Sequence, residues 1–251
     1  MCFFFSKKEK TMYKRVLLKL SGEALKGSNT KHILDAEYLQ EIVQVIKRIH
    51  EDGTQVAIVI GAGNIWRGKV AEKLGIDRVN ADYMGMMGTV INAVATSSAL
   101  KVLGVPSIVF SAIPEIDGVT QNYEKNLAKT ALNCGNVVFL AGGTGKPFFT
   151  TDTAATLRAL ELECDAILMG KNGVDGVYTD DPNTNPNAEF IKDITYDEIL
   201  EKNLSVMDKS AVELIKDKDI DIRVFNMANL DNFEKVIAGD TLGTTCHRKG
   251  K

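Results

Sequence analysis

From one end of the chain to the other, short apolar runs of strand length alternate with longer segments of helical period. That is the pattern of βαβ units winding a mostly parallel sheet. The strand-length runs are residues 15–20, 55–60, 107–110, 136–140, 166–169 and 222–225, rich in β-branched or aliphatic residues and bounded by glycine or polar punctuation. Several are apolar on both faces, which predicts a sheet covered on both sides. Helical periodicity is expected over residues 36–51, 81–103, 122–132, 153–163, 209–216 and 230–236. The predicted fold is therefore α/β, a three-layer α/β/α sandwich with right-handed crossovers. Residues 175–193, crowded with Asp, Asn, Pro and Gly, interrupt this rhythm and predict an exposed loop or ribbon.

A chain of 251 residues whose composition is 45% hydrophobic can bury a core without disulfides. The 30 Lys and Arg against 33 Asp and Glu leave a net charge of -3, without the basic excess that polyanion binding by counterion release requires. Nucleic acid is accordingly not an expected partner. Cys2, Cys134, Cys164 and Cys246 form no C-x-x-C pair, and His32, His50 and His247 form no H-E-x-x-H pair, so neither set reads as a metal site. The cysteine usage fits a reducing cytoplasm. No apolar stretch approaches the roughly 18–20 residues of a membrane helix. The first residues are no export signal, because Lys7, Lys8 and Lys10 follow the apolar run instead of preceding it. Residues 1–12 read as an extension that is not native. Codons for Lys8-Glu9-Lys10 can form a purine-rich ribosome-binding sequence ahead of Met12, so residues 1–11 are expected to be absent from the natural product.

Three loops follow predicted strands, at the sheet edge where open α/β folds bind ligands. In the first, Lys19-Leu20-Ser21-Gly22, a lysine precedes a small residue and a glycine whose backbone can approach an anion. An ordinary strand exit with an exposed lysine accounts for this segment equally well. The second, residues 61–68, joins glycines to Arg67, whose planar fork suits phosphate. Gly63 to Lys69 mimics a P-loop, but Val70 stands where the hydroxyl is needed, and Trp66 replaces the third glycine of a dinucleotide fingerprint. The third, residues 141–152, brings three hydroxyls to a helix start and can act as a second anion cradle or as capping alone. Two cradles suggest a donor and an acceptor phosphate.

Six ordered motifs carry a resemblance over residues 13 to the carboxyl terminus: KLSGEAL at 19–25, G-x-G-N-x-x-RG at 61–68, ADYMGM at 81–86, TG-x-PFFTTD at 144–152, KNGVDGVYTDDP at 171–182 and VMD at 206–208. Together they resemble the bacterial uridylate kinases, a family with the amino acid kinase fold. The resemblance implies transfer of the γ-phosphoryl group of ATP to UMP with Mg²⁺ as helper, and a homo-oligomer, usually a hexamer. It places Lys19, Leu20, Ser21 and Gly22 at the ATP phosphates with Gly63 and Arg67 beside them. Asn172, Tyr178 and Asp181 would border the ATP nucleoside. Asp82 would hold the UMP ribose, while Ala62, Thr144, Gly145, Lys146, Pro147, Phe148, Phe149, Thr150 and Thr151 would hold its phosphate and uracil. Lys19, Arg67, Asp152 and Asp208 would form the reaction centre, with Lys19 neutralising the transferred charge; Asp208 can also be a plain helix cap.

The single domain would span residues 13–251, with a UMP-side lobe over about 13–163 and an ATP-side lobe over about 164–251. Departures from the family pattern are Ala62 for glycine, Lys146 for asparagine, Asn172 for threonine, and residues 27–35 in place of a stretch associated with GTP activation. Two rival readings remain open at this point: a carboxylate or carbamate kinase of the same fold, and a nucleotide sensor without turnover.

Overall fold

The structure, a computed structural model, describes residues 12–27 and 32–250. The extension read as non-native, residues 1–11, and residues 28–31 of the divergent stretch lie outside the described residues.

The central strand, β1 (Arg15–Leu20), sets the layering. Its alternation sends Val16, Leu18 and Leu20 into one hydrophobic cluster and Leu17 into another on the opposite face. It pairs in parallel with β2 (Gln55–Ile60) on one side and β6 (Ala166–Lys171) on the other. The remaining members of the main sheet are β3 (Ser107–Ser111), β4 (Gln121–Asn122), β5 (Val137–Ala141), β9 (Asp193–Thr195), β10 (Asp221–Asn226) and β11 (Thr244–His247). Among the described residues the order is β4-β3-β5-β2-β1-β6-β10-β11-β9, and only the β10–β11 pair is antiparallel.

Helices α1 (Ala36–Glu51), α3 (Arg78–Val102) and α8 (Asn232–Ile237) cover the face that holds Val16 and Leu18. Helices α4 (Lys125–Asn133), α5 (Thr151–Glu161), α6 (Tyr196–Glu201) and α7 (Lys209–Ile215) cover the other. The expected three layers are present. Residues 175–193 form the expected ribbon: β7 (Val177–Tyr178) and β8 (Phe190–Ile191) pair antiparallel, apart from the main sheet.

Several boundaries differ from the periodicity reading, each for a local reason. The helix expected from residue 122 begins at Lys125, because Asn122 is taken into β4 and the Glu124 carboxylate accepts the N–H groups of Asn126 and Leu127. The helix expected from residue 81 begins at Arg78, since Asp77 caps it through the Asn80 N–H. Helix α5 ends at Glu161, two residues early, where Glu163 turns to φ 56°. An unforeseen short helix, α2 (Gly68–Leu74), follows Arg67.

Candidate active site

The three glycine loops meet because backbone lies against backbone. The Gly61 N–H donates to the Leu20 carbonyl at 3.0 Å, and a Cβ on Gly22 would overlap the Gly61 carbonyl group, 2.9 Å from its carbon. Glycine at position 22 is thus required by the neighbouring loop. A Cβ on Gly61 would meet Thr151 Oγ1 at 3.7 Å, so the third loop closes on the same point. Buried Asn92 of α3 fixes the second loop, donating to the Gly61 carbonyl at 2.7 Å and to the Asn64 side chain at 2.8 Å. Ser21 starts a short 3-10 helix (Gly22–Lys26), its hydroxyl accepting from the Glu23 N–H.

A cleft of about 690 Å³ opens between the second loop, α2, α3 and the third loop. Ala62, Gly63, Asp82, Thr144, Thr150 and Thr151 are in its wall, as is Phe149. Gly145, Lys146, Pro147 and Phe148 are outside that wall. Thr144 and Lys146 close a local turn, the Lys146 N–H donating to the Thr144 hydroxyl at 3.2 Å. Phe148 adopts φ 72°, a left-handed conformation that costs an aromatic residue about 1–3 kcal/mol. Its N–H is held by Asp82 Oδ2 at 2.7 Å. Arg78, one helical turn before Asp82, donates Nε to both carboxylate oxygens at 2.8 and 3.0 Å. Asp82 is therefore fixed in place facing the cleft.

Beside this cleft, opposite charges gather on one face of the sheet. Lys19 and Met169 are paired positions of β1 and β6, so Lys19 and Lys171 share the face covered by α5. Lys19 Nζ lies 2.8 Å from Asp152 Oδ1 in the first turn of α5, where the helix dipole favours a carboxylate. The Asp208 N–H donates to the other Asp152 oxygen at 3.3 Å. Asp208 occupies the N-cap position of α7, yet its side chain caps no backbone N–H, which sets aside the plain capping reading. Lys171 Nζ donates to the Ser205 carbonyl at 3.1 Å, and burial, followed by the nearby Lys19 charge, pushes its pKa below the usual lysine value. Arg67 is engaged by Glu23 and also donates to the Gly63 carbonyl at 3.3 Å, so the first two loops are joined by charge as well as by backbone.

A second cavity of about 470 Å³ lies on the far side of Lys171, between the β7–β8 ribbon and residues 202–205. Tyr178 and Asp181 line it, whereas Asn172 does not. Tyr178 meets the Phe190 ring edge-on, with centroids 5.5 Å apart. The Lys19–Asp152 pair lines neither cavity but adjoins both: Thr151, the neighbour of Asp152, belongs to one wall, and Lys171, whose amine feels the charges of Lys19 and Asp152, to the other.

Lys171 opens the motif at 171–182 but is given no role of its own there, and Arg78 and Asn92 lie outside every motif. The first could have been found by aligning β1 with β6 and noticing two lysines on one face; the helical i, i+4 spacing of Arg78 and Asp82 was also readable. Asn92 carries no such signal, since its role depends on packing against a loop distant in sequence.

The family model described as the amino acid kinase family matches residues 14–226. The chain belongs to that family. Family members similar to it include the uridylate kinase of Pediococcus pentosaceus, 45% identical over 93% of this chain and 96% of the relative. The uridylate kinase of Bacteroides thetaiotaomicron is 46% identical over 94% of this chain and 98% of its own length. Among solved structures, UMP kinase from Bacillus anthracis superposes with a TM-score of 0.91 at 38% identity, covering 95% of this chain and 97% of that one. UMP kinase from Ureaplasma parvum gives 0.86 at 41% identity, covering 94% and 99%. The family member described here shares the doubly covered, mostly parallel sheet of these enzymes.

Proposed function

We propose that this chain is a UMP kinase, transferring the γ-phosphoryl group of ATP to UMP and releasing ADP and UDP. The observation that carries this reading is the Lys19–Asp152 pair adjoining two cavities through Thr151 and Lys171, within a chain that matches uridylate kinases over nearly its whole length. A phosphate oxygen of UMP forms the new P–O bond as the bond to the β-phosphate oxygen of ADP breaks. Such a step needs alignment and charge neutralisation more than covalent help.

In this proposal UMP occupies the 690 Å³ cleft, its ribose on Asp82 and its phosphate beside Ala62 and residues 144–151. ATP occupies the smaller cavity near Tyr178 and Asp181, with its phosphates reaching Ser21, Gly22, Gly63 and Arg67. Asn172 would act from outside that wall. Lys19 meets the moving phosphoryl group, Lys171 adds a second cation beside it, and Asp152 with the Asp208 backbone orients Lys19. The two cavities are built from residues 62–151 and 171–205, which supports a UMP-side lobe and an ATP-side lobe sharing one sheet.

No group of three His, Cys, Asp or Glu among the described residues is placed to hold an ion by itself. Mg²⁺ bound to nucleotide phosphates needs only one or two protein carboxylates, and Asp152 and Asp208 fit that smaller requirement. When bound, Mg²⁺ would neutralise phosphate charge. No helix among the described residues is long and apolar enough to cross a membrane. The reading places the chain in pyrimidine nucleotide synthesis in the cytoplasm, as a homo-oligomer of hexameric type.

A coupled assay of the purified chain with ATP and Mg²⁺ against UMP, CMP, TMP, glutamate and carbamate tests this. UMP-dependent ADP release is the expected outcome. Release driven by glutamate or carbamate would replace the reading with another kinase of the family, and nucleotide binding without release would make the chain a sensor.

A further inference from the structure

Thr244 lies more than fifty residues beyond the ribbon in sequence, yet its hydroxyl is built into the ribbon. The side chain is fully buried at the start of β11, opposite Val224 of β10. Its Oγ1 accepts the Val177 N–H at 2.8 Å and donates to the Ile191 carbonyl. Val177 and Ile191 are paired positions of β7 and β8, so one hydroxyl ties both strands of the ribbon to the main sheet. Next to it, a Cβ on Gly176 would lie 2.8 Å from the Phe190 ring, leaving room only for hydrogen at this joint.

A two-stranded ribbon with two residues in each strand has little stability of its own, so its placement depends on such ties. Further ties include the Thr245 N–H donating to the Lys192 carbonyl at 3.0 Å, the Asn226 amide of β10 donating to Asp175 at 3.0 Å, the pairing of β9 with β11 just past the ribbon, and the buried Val177 side chain. Thr244 is itself rigidly held. Gly243 enters β11 at φ 74°, and buried Arg223 donates to the Asp240 and Leu242 carbonyls at 2.9 Å each, fixing the approach. Gly176, Val177 and Tyr178 line the smaller cavity directly.

We propose that Thr244 is a positioning residue for the donor nucleotide: acting through Val177 and Ile191, it holds the ribbon wall of the ATP cavity against the main sheet. This rests on the reading of that cavity as the ATP nucleoside site. Thr244→Val keeps the shape and removes both hydrogen bonds, leaving the Val177 N–H and the Ile191 carbonyl without this partner. The expected result is a rise in KM for ATP of about tenfold, the size that loss of one to two hydrogen bonds gives. KM for UMP, and kcat at saturating ATP, should stay within about twofold. Thr244→Ser retains the hydroxyl and should restore the ATP value. An unchanged KM for ATP in Thr244→Val, or an equal rise for both nucleotides, would overturn the proposal. Hydrogen exchange on the unaltered chain supplies a test that does not depend on the variant folding. A non-hydrolysable ATP analogue should slow exchange of the Val177 amide and UMP should not, and no slowing by the analogue would overturn the proposal. Absence of UMP-dependent ADP release from the unaltered chain would overturn the functional reading alone, because amide protection is read without turnover.

Discussion

Lys19 reaches the candidate reaction centre because it is the fifth residue of a strand whose aliphatic side chains are committed to two cores. Its amine is balanced by Asp152. Removing the amine does more than delete a cation, since the carboxylate left behind repels incoming phosphates. Lys19→Ala is expected to lower kcat by about 10² to 10³, the usual loss for one preorganised group. KM for UMP should change far less, and steady-state kinetics with each nucleotide varied in turn would separate the two effects. Asp82 has a different part. It already gathers three donated contacts, from Arg78 and from Phe148, while facing the cleft. Asp82→Asn puts an amide among donors, and KM for UMP should rise about tenfold with kcat little changed. Turnover lost at unchanged KM would move Asp82 from binding to chemistry.

At the scale of elements, the contact of two loops is the feature most exposed to substitution. Gly22→Ala would drive a methyl group into the Gly61 carbonyl. Crowding of this kind costs about 1–3 kcal/mol, visible as a lower urea midpoint, and should abolish activity along with it. The edge pair β9–β11 carries a pH dependence. His247 Nε2 lies 2.8 Å from Asp193 Oδ1, and its pKa is raised: burial opposes protonation, but the Asp193 and Arg248 hydrogen bonds and nearby acid charge outweigh it. The folded state therefore holds the proton more tightly than the unfolded chain. This contribution is fully present below the unfolded value near 6.5 and is lost as pH rises through the raised folded value. It should amount to less than about 1 kcal/mol because Asp193 is largely exposed. Thermal melts across that interval should show the decline in the natural chain and not in Asp193→Asn. Legibility follows the same scale. The apolar runs of β1 and β2 and the amphipathic period of α1 gave their boundaries directly. The two-residue strands β4, β7 and β8 are too short for any period, and β11, Thr-Thr-Cys-His, has no apolar alternation to read. Lys19, Asp152 and Lys171 were all motif residues, but only the pairing of β1 with β6 puts Lys171 on the same face as Lys19.

At the scale of the whole molecule, helix α3 keeps a row of apolar side chains exposed among the described residues. Along α3, Val79, Tyr83, Met87 and Ile91 recur every four residues and are all exposed, Met87 at 51%. A row of this kind marks an interaction surface, and it supports self-association through α3 as part of the proposed oligomer. Met87→Glu should lower the mass measured by light scattering, and an undiminished mass would place the contact elsewhere. The alternation of β1 carries one more consequence. Deleting a single residue ahead of Lys19 within that strand would turn its amine toward α1, behind the sheet and away from Asp152 and Lys171, while forcing a charge among Ile42, Ile46 and Phe233. The odd-and-even parity of one six-residue strand therefore ties the stability of the core to the placement of the Lys19 amine, so that neither can be altered by a change of strand length without the other.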